Sequence, residues 1–477
     1  MAAGRQRAKA PAMTAMPMRL ARAEWHRFLR QSLNLWVLTV FALLLGASAV
    51  WSGLAARDYR AAAIAQQEDW EQLRLKARAM AVQPADGTQA MMAAFQFARG
   101  DAPPARLPAL GGLALGTGTF ELLGPDARVT VESRHTDARK AERLGNPLLE
   151  DLGLPDFSTV LALLLPLAIL GLTCGLVQEE REQGRWPWVV AQCARPAQVV
   201  AVALGLRGLA AWGIAAAASL LAFALDPGAT AGALFCWLAA VAAFCAFWLA
   251  LAGLFCLLPL SSGSAALGLL ACWLLSTFAI PAALAAWADR QAPMPSRLAA
   301  ISAIRDAQQE AEVHMDAHLA HWYASHPAAA PFAFRSHAWP VSFLPRYLAQ
   351  DRRIRPLMEG FDDARARRFA WLERRNWLSP SLALAMAADR LAGIDAPRYL
   401  RHVQRVNAYE DAWRDFFVPR IMSYQGLAAE DFDRLPRFEA SSDASTSAVL
   451  RQVLLLGLMA LALSGCIALA RRSLEKP

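Results

Sequence analysis

Three carboxylates and two guanidiniums crowd into seven residues, Glu179-Glu180-Arg181-Glu182-Gln183-Gly184-Arg185, and the apolar Trp186-Pro187-Trp188-Val189-Val190 follows at once. Glutamates at this density can move protons, hold a cation or dock a basic partner. The flanks decide among these. An apolar run from Phe157 to Val177 enters the segment, and another, from about Val199 to Leu225, leaves it. Charges cannot stay in hydrocarbon without large cost, so the segment must lie at a membrane surface. Its acidic start, central Gly184 and apolar second half predict a short amphipathic helix along that surface. Held between two spans, such an element is placed to pass force from a partner into the membrane. The plainer reading is an ordinary charged loop, but the alternation of acids with the Trp-Pro-Trp patch favours a docking helix.

A second group with chemical potential is His314, His318 and His321, spaced i, i+4 and i+7 on one helical face, with His326 and His337 close in sequence. Neutral imidazoles suit zinc or copper. Each of the three, however, sits one position before an apolar residue, Met315, Leu319 or Trp322, as expected at the edge of a packed face. No carboxylate or thiol spacing completes a metal site. The chain also lacks a GxxxxGK[ST] phosphate loop, HExxH and GxSxG, so no residue is assigned a catalytic role and an enzyme is not expected. A basic stretch at Arg352, Arg353, Arg355, Arg365, Arg367, Arg368, Arg374 and Arg375 is interleaved with acids and reads as a solvated helix carrying local ion pairs.

The elements that position these residues follow from composition. Of 477 residues, 56% are hydrophobic and 18% charged, off the balance of a soluble chain. Six stretches have the length a helix needs to cross ~30 Å of hydrocarbon. They are Leu35–Leu54, Phe157–Val177, Leu206–Leu225, Ala231–Leu258, Ala265–Ala288 and Val449–Ala470. The expected fold is an all-α polytopic membrane protein with six transmembrane helices and a mainly helical extracytoplasmic domain. The first stretch is too long, and too far inside the chain, for a cleavable signal peptide.

Orientation is read from basic residues at the span ends. Arg5, Arg7, Lys9, Arg19, Arg22, Arg27 and Arg30 precede the first span against Glu24 alone, and Arg471, Arg472 and Lys476 follow the last. Both termini are therefore expected in the cytosol. The chain divides into a cytosolic start (1–34), helix 1 (35–54), a first extracytoplasmic segment (55–156), helix 2 (157–177), a cytosolic loop (178–198), helices 3 to 5 (199–288), a second extracytoplasmic domain (289–447), helix 6 (448–470) and a cytosolic tail (471–477). The net charge of +8 is a topology signal and gives no support for nucleic-acid binding.

Within this frame Arg57–Val82 can continue the first helix outward, and helices are expected at Ile301–Trp322, Asp362–Asn376, Pro380–Leu391 and Pro397–Phe417. In the first of these, Ile301, Ile304, Ala307, Ala311, Met315, Leu319 and Trp322 form the buried stripe. Weak strand candidates lie near Phe120–Val131. Trp36, Trp51 and Trp287 fall at span ends as interface anchors, joined by Trp186 and Trp188. Pro166 and Pro281 can kink their spans. Arg207, the exceptional ionisable residue in the spans, is expected to snorkel to the interface. Without a titratable group near the midplane, uphill transport would draw its energy from another subunit. All seven cysteines, Cys174, Cys193, Cys236, Cys245, Cys256, Cys272 and Cys466, lie in spans or the charged loop and read as packing residues.

The motif Glu179-Glu180-Arg181-Glu182-x-Gly184, with Arg195-Pro196 at the next span, resembles the permease subunits of type-2 ABC exporters (ABC-2 type). Where that family has a Thr-Leu pair after the glycine, this chain has Arg185-Trp186. The resemblance extends to a subfamily with an enlarged periplasmic domain of unknown function. It is carried by Glu24-Trp25-His26-Arg27-Phe28-Leu29-Arg30, Asn146-Pro147-Leu148 before Gly153, Asp156-Phe157, Leu165-Pro166-Leu167, His326-Pro327, Leu378-Ser379-Pro380, Asp389, Leu391-Ala392-Gly393 and Asp395. It implies a bacterial inner-membrane exporter subunit that couples ATP hydrolysis by a separate cytosolic ATPase to movement of a substrate. Glu179, Glu180, Arg181, Glu182, Gly184 and Arg185 would form the coupling helix. The implied partners are the ATPase, which holds ATP and Mg while this chain binds no cofactor, a second permease copy or relative, the bilayer, and a periplasmic or outer-membrane component. One alternative keeps the ATPase but transmits force to an external partner without conducting substrate. Another is a membrane scaffold or sensor with no ATPase.

Overall fold

The computed structural model describes residues 15–81, 86–100, 102–132, 156–192, 195–335, 337–440 and 446–470. Asn146, Pro147, Leu148, Gly153, Cys193 and the basic residues near both termini (Arg5, Arg7, Lys9, Arg471, Arg472, Lys476) lie outside the described residues. The described residues are about 81% helical with almost no strand. Among the described residues six helices are long and apolar enough to cross a membrane: Ser32–Ala79, Phe157–Glu182, Pro196–Leu225, Ala231–Leu257, Ser262–Gln291 and Ser447–Ala470.

In chain order the first half contains α1 (Ala15–Arg30), α2 (Ser32–Ala79), α3 (Gly87–Gly100), α4 (Thr117–Leu122), α5 (Phe157–Thr173), α6 (Gln178–Glu182), α7 (Trp186–Gln192) and α8 (Pro196–Leu225). The second contains α9 (Ala231–Leu257), α10 (Ser262–Leu274), α11 (Ile280–Gln291), α12 (Arg297–Val313), α13 (Met315–Ser325), α14 (Leu344–Glu373), α15 (Pro380–Ala392), α16 (Ala396–Met422) and α17 (Thr446–Ala470). Two-residue strands β1 (Ala105–Arg106) and β2 (Asp126–Ala127) pair antiparallel. The Phe120–Val131 strand expectation thus reduces to α4 and this bridge.

α2 runs unbroken for 48 residues, so the Ala- and Gln-rich stretch after the first apolar run continues the same helix. Its apolar half meets α8 along a seam of small residues, Ala211, Ala215, Ala218 and Ala222, spaced as one helix face and all buried. Gly53 makes the approach close: a Cβ there would lie 2.7 Å from Leu225 Cβ and 2.9 Å from the Ala222 carbonyl. α9 is central in the bundle, burying Trp237, Phe244 and Trp248, and it packs against α5, α8, α15 and α17.

The two polar stretches separated in sequence share one core. Phe97 of α3 stacks near Trp413 and Phe417 of α16, at 6.3 and 6.0 Å between ring centroids, and Trp413 Nε1 donates to the Ala98 carbonyl at 3.0 Å. Between Arg297 and Ser325 the expected single helix breaks at His314 (φ −101°, ψ 22°). Ala307, Ala311, Leu319 and Trp322 are buried as the stripe requires and Ile304 and Met315 are half-buried, whereas Ile301 is exposed and its neighbour Ala300 takes the buried position in the first turn of α12. The expected helix at Asp362–Asn376 is the end of the longer α14, which stops at Glu373, and Asn376 opens a short 3-10 turn, Asn376–Leu378. Along α14 the arginines pair mostly across elements, Arg355 with Asp411 at 2.6 Å and Arg368 with Asp289 at 2.5 Å, although Arg365–Asp362 is local.

α15 is the element least like a surface helix. Ala383, Leu384, Ala387, Ala388, Leu391 and Ala392 join the same hydrophobic cluster as Phe157 and Leu161 of α5, Trp237 and Val241 of α9, and Val449 and Leu456 of α17. Its ends are set by local chemistry. Ser379 caps the start, accepting from Leu382 N, with Pro380 in the first turn. Gly393, at φ +84°, ends it in the left-handed conformation that lets Ile394 N–H reach the Asp389 carbonyl at 2.8 Å. Asp395 then caps α16, accepting from Arg398 N. The Ser-Pro, Gly and Asp signals in this stretch are therefore stop and start signals for two helices.

Candidate functional site

The charged segment folds as two short helices. α6 ends at Gly184, whose φ of +67° allows Arg185 N–H to bond the Glu180 carbonyl at 2.8 Å and Gly184 N–H the Arg181 carbonyl at 3.0 Å. This is a helix stop of the left-handed glycine type. α7 then carries the apolar half. The expected amphipathic helix is thus broken in the middle, and the break forms an exposed tip of Gln183, Gly184, Arg185, Pro187 and Trp188.

Two of the three glutamates already have intramolecular partners. Glu180 is buried and ion-paired to Arg27 of α1, while Arg185 Nε donates to its other oxygen at 2.7 Å. Glu182 accepts from both Ser262 N, at 2.7 Å, and Ser262 Oγ, at 2.9 Å, at the start of α10. Glu179 is exposed and folds over Gly175, which has φ +76° and no room for a Cβ. Two further bonds reach the end of α9: Gln178 Nε2 to the Phe255 carbonyl at 2.9 Å and Arg181 Nη1 to the Leu258 carbonyl at 3.2 Å. The segment is therefore strapped to α1, to the end of α9 and to the start of α10. These bonds join the segment to the end of the fourth and the start of the fifth candidate span.

Trp186, expected at the interface, is instead buried among Val177, Val200, Cys256 and Leu257, with Arg181 over its ring at 5.7 Å. The two tryptophans of the patch divide the work, because Trp188 remains 70% exposed. Trp36, Trp51 and Trp287 are also exposed, and Trp287 contacts Trp371 edge-on at 5.3 Å.

Arg207 departs from expectation too. It does not reach the surface but is 3% exposed, donating to the Leu172 carbonyl at 2.8 Å and the Ala203 carbonyl at 3.0 Å, with the Phe28 ring of α1 5.5 Å away. Burial with satisfied donors replaces snorkelling because α1 covers this end of α8. Arg27, Phe28, Gln178 and Ser262 are the site residues that charge pattern alone does not single out. Arg27 and Phe28 lie in the Glu24–Arg30 motif, which was the available signal.

His314 and His321 are exposed and His318 half-buried along α13, while His326 stacks on Trp322 with centroids 4.0 Å apart. Among the described residues no group of three or more His, Cys, Asp or Glu side chains is arranged to hold a metal ion.

Comparison with known proteins adds one finding. Residues 297–441 match the model of a domain of unknown function (DUF3526), a stretch that runs from α12 to just before α17 and contains α15. No curated protein and no solved structure gives a match.

Proposed function

We propose that this chain is the permease subunit of an ABC-2 type exporter, driven by a separate cytosolic ATPase that binds the tip formed by Gln183, Gly184 and Trp188. The observation that carries this reading is the strap. A segment bound to α1, α9 and α10 converts displacement of one exposed point into displacement of several span ends. Glu180, Glu182, Gln178 and Arg181 transmit, and the tip receives. On this reading Glu180 and Glu182 do not touch the ATPase.

Two variants separate docking from transmission when the chain is co-expressed with its candidate ATPase. Gln183→Ala combined with Trp188→Ala should lower co-purification of the ATPase. Glu180→Lys should leave co-purification intact but abolish the effect of the permease on ATP turnover. Loss of neither property in either variant would refute the assignment.

A second reading, force transmission to an external partner without a substrate path, draws support from α15. A helix of the polar body lodged among span ends makes that body move with the bundle. Cargo crossing in proteoliposomes distinguishes the two, since only the exporter reading requires flux.

A further inference from the structure

The polar body contains a cavity of about 600 Å³ that the coupling account does not use. One wall is the outer half of α2 from Tyr59 to Arg74; the others are residues 103–109 and residues 432–440. The volume falls within the ~300–1,000 Å³ usual for small-molecule sites. Its lining is both apolar and cationic: Ile64, Trp70, Leu435 and Phe438 stand beside the guanidiniums of Arg60, Arg74, Arg106 and Arg437, against the single carboxylate of Glu71.

Three of the four guanidiniums are held in place. Arg60 is paired with Asp226 and donates to the Leu110 carbonyl at 2.6 Å. Arg106 is bound to Asp126 through two nitrogens, at 2.5 and 2.9 Å, and lies over the Tyr59 ring at 5.3 Å. Its Nη1 is buried with no acceptor among the described residues. Arg74 pairs with Glu71 and lies 5.8 Å from the Trp70 ring. Arg437 is exposed and makes no ion pair among the described residues. Fixed guanidiniums presenting spare N–H groups recognise phosphate oxygens well.

Position adds the rest. Tyr59 lies five residues beyond Leu54, so the cavity begins ~8 Å past the end of the first hydrophobic stretch, at 1.5 Å per residue. The headgroup layer adds ~5–7 Å beyond the hydrocarbon on each side. The near end of the cavity therefore lies at the outer edge of the headgroup layer, and the cavity runs on from there along α2.

We infer that this cavity binds a phosphate-headed amphiphile, with the head against Arg74, Arg106 and Arg437 and the apolar body against Ile64, Trp70 and Phe438. The inference does not depend on an ATPase partner. Such a molecule has two sources, a phospholipid drawn from the leaflet or a free amphiphile.

The test uses the full chain in neutral detergent, titrated with dodecyl phosphate and with uncharged dodecyl maltoside as control. Saturable one-to-one binding is expected for the phosphate alone. Arg437→Gln should weaken it at least fivefold, and Ile64→Trp, which fills the cavity from an exposed position, should abolish it. Mass spectrometry of chain released from phosphatidylglycerol nanodiscs then assigns the source. Retained lipid that Ile64→Trp loses identifies the leaflet, and dodecyl phosphate binding without retained lipid identifies a free amphiphile. Absence of saturable binding, or binding unchanged in both variants, overturns the inference.

Discussion

Ser379 Oγ donates a 2.6 Å hydrogen bond to the carbonyl of Ser276, joining the start of α15 to the middle of the fifth span. The bond exists because of Pro281. The span makes a π-turn at Leu275–Ala279, in which Ile280 N–H bonds the Leu275 carbonyl five residues back. The next donor in that register is Pro281, which has no N–H, so the Ser276 carbonyl must find a donor outside its own helix. Ser379 supplies it while its oxygen still caps α15. Nearby, Thr277 Oγ1 and Ser381 Oγ lie 3.1 Å apart, and Asn376 Nδ2 donates to Gln452 Oε1 of the last span at 2.7 Å.

Ser379→Ala removes a helix cap and leaves a buried carbonyl unsatisfied. The expected cost is about 2–4 kcal/mol, from ~1 for the cap and ~1–3 for the orphaned group. In a Pro281→Ala background the restored N–H can satisfy that carbonyl, so the cost of Ser379→Ala should fall to that of the cap. Denaturant unfolding in detergent, arranged as a double-mutant cycle, measures the difference. Equal costs in both backgrounds would show that the proline does not create the vacancy.

Arg60 and Asp226 form the tie between α2 and the turn joining α8 to α9. Asp226 is 3% exposed and takes both Nε, at 2.5 Å, and Nη2, at 3.1 Å, from Arg60. Arg60→Gln strands a buried carboxylate and should destabilise the protein by about 3–5 kcal/mol. Adding Asp226→Asn should recover most of that loss. Thermal unfolding of the single and double variants checks it.

Asp389, near the end of α15, has its carboxyl pushed up to about 7, first by burial and then by the negative charges of Asp156 and Asp395, with Arg390 opposing. An unfolded aspartate titrates near ~3.9. Between these values the folded state binds the extra proton, so the contribution of Asp389 to stability is fully present below pH ~4, is lost as pH rises towards 7 and levels off above it. Asp389→Asn should flatten this slope and raise the unfolding temperature at pH 8 more than at pH 5. An identical gain at both pH values would contradict the assignment.

Much of the fold was legible in the sequence. Span positions followed from runs of apolar residues, and the continuation of α2 beyond its apolar run followed from its Ala-, Gln- and Glu-rich composition. The caps at Ser379 and Asp395 and the stop at Gly393 are written in local residue types. What was hidden depends on contacts between distant residues. Glu180 looks like a surface acid until Arg27, 153 positions away, covers it. Arg207 looks like a snorkelling residue until α1 lies over it. Pro380–Ala392 reads as one more polar-domain helix because its alanines and leucines do not name their partners. Those partners sit on α5, α9 and α17, on both sides of it in the chain.

The central claim places the tip of the α6–α7 segment in the cytosol, within reach of a motor. Its most direct test is Gln183→Cys, an exposed position, in a chain whose native cysteines are replaced by alanine. A membrane-impermeant maleimide should modify that thiol in inverted inner-membrane vesicles and leave it untouched in intact cells. Labelling in intact cells would put the tip on the wrong side of the membrane and contradict the account.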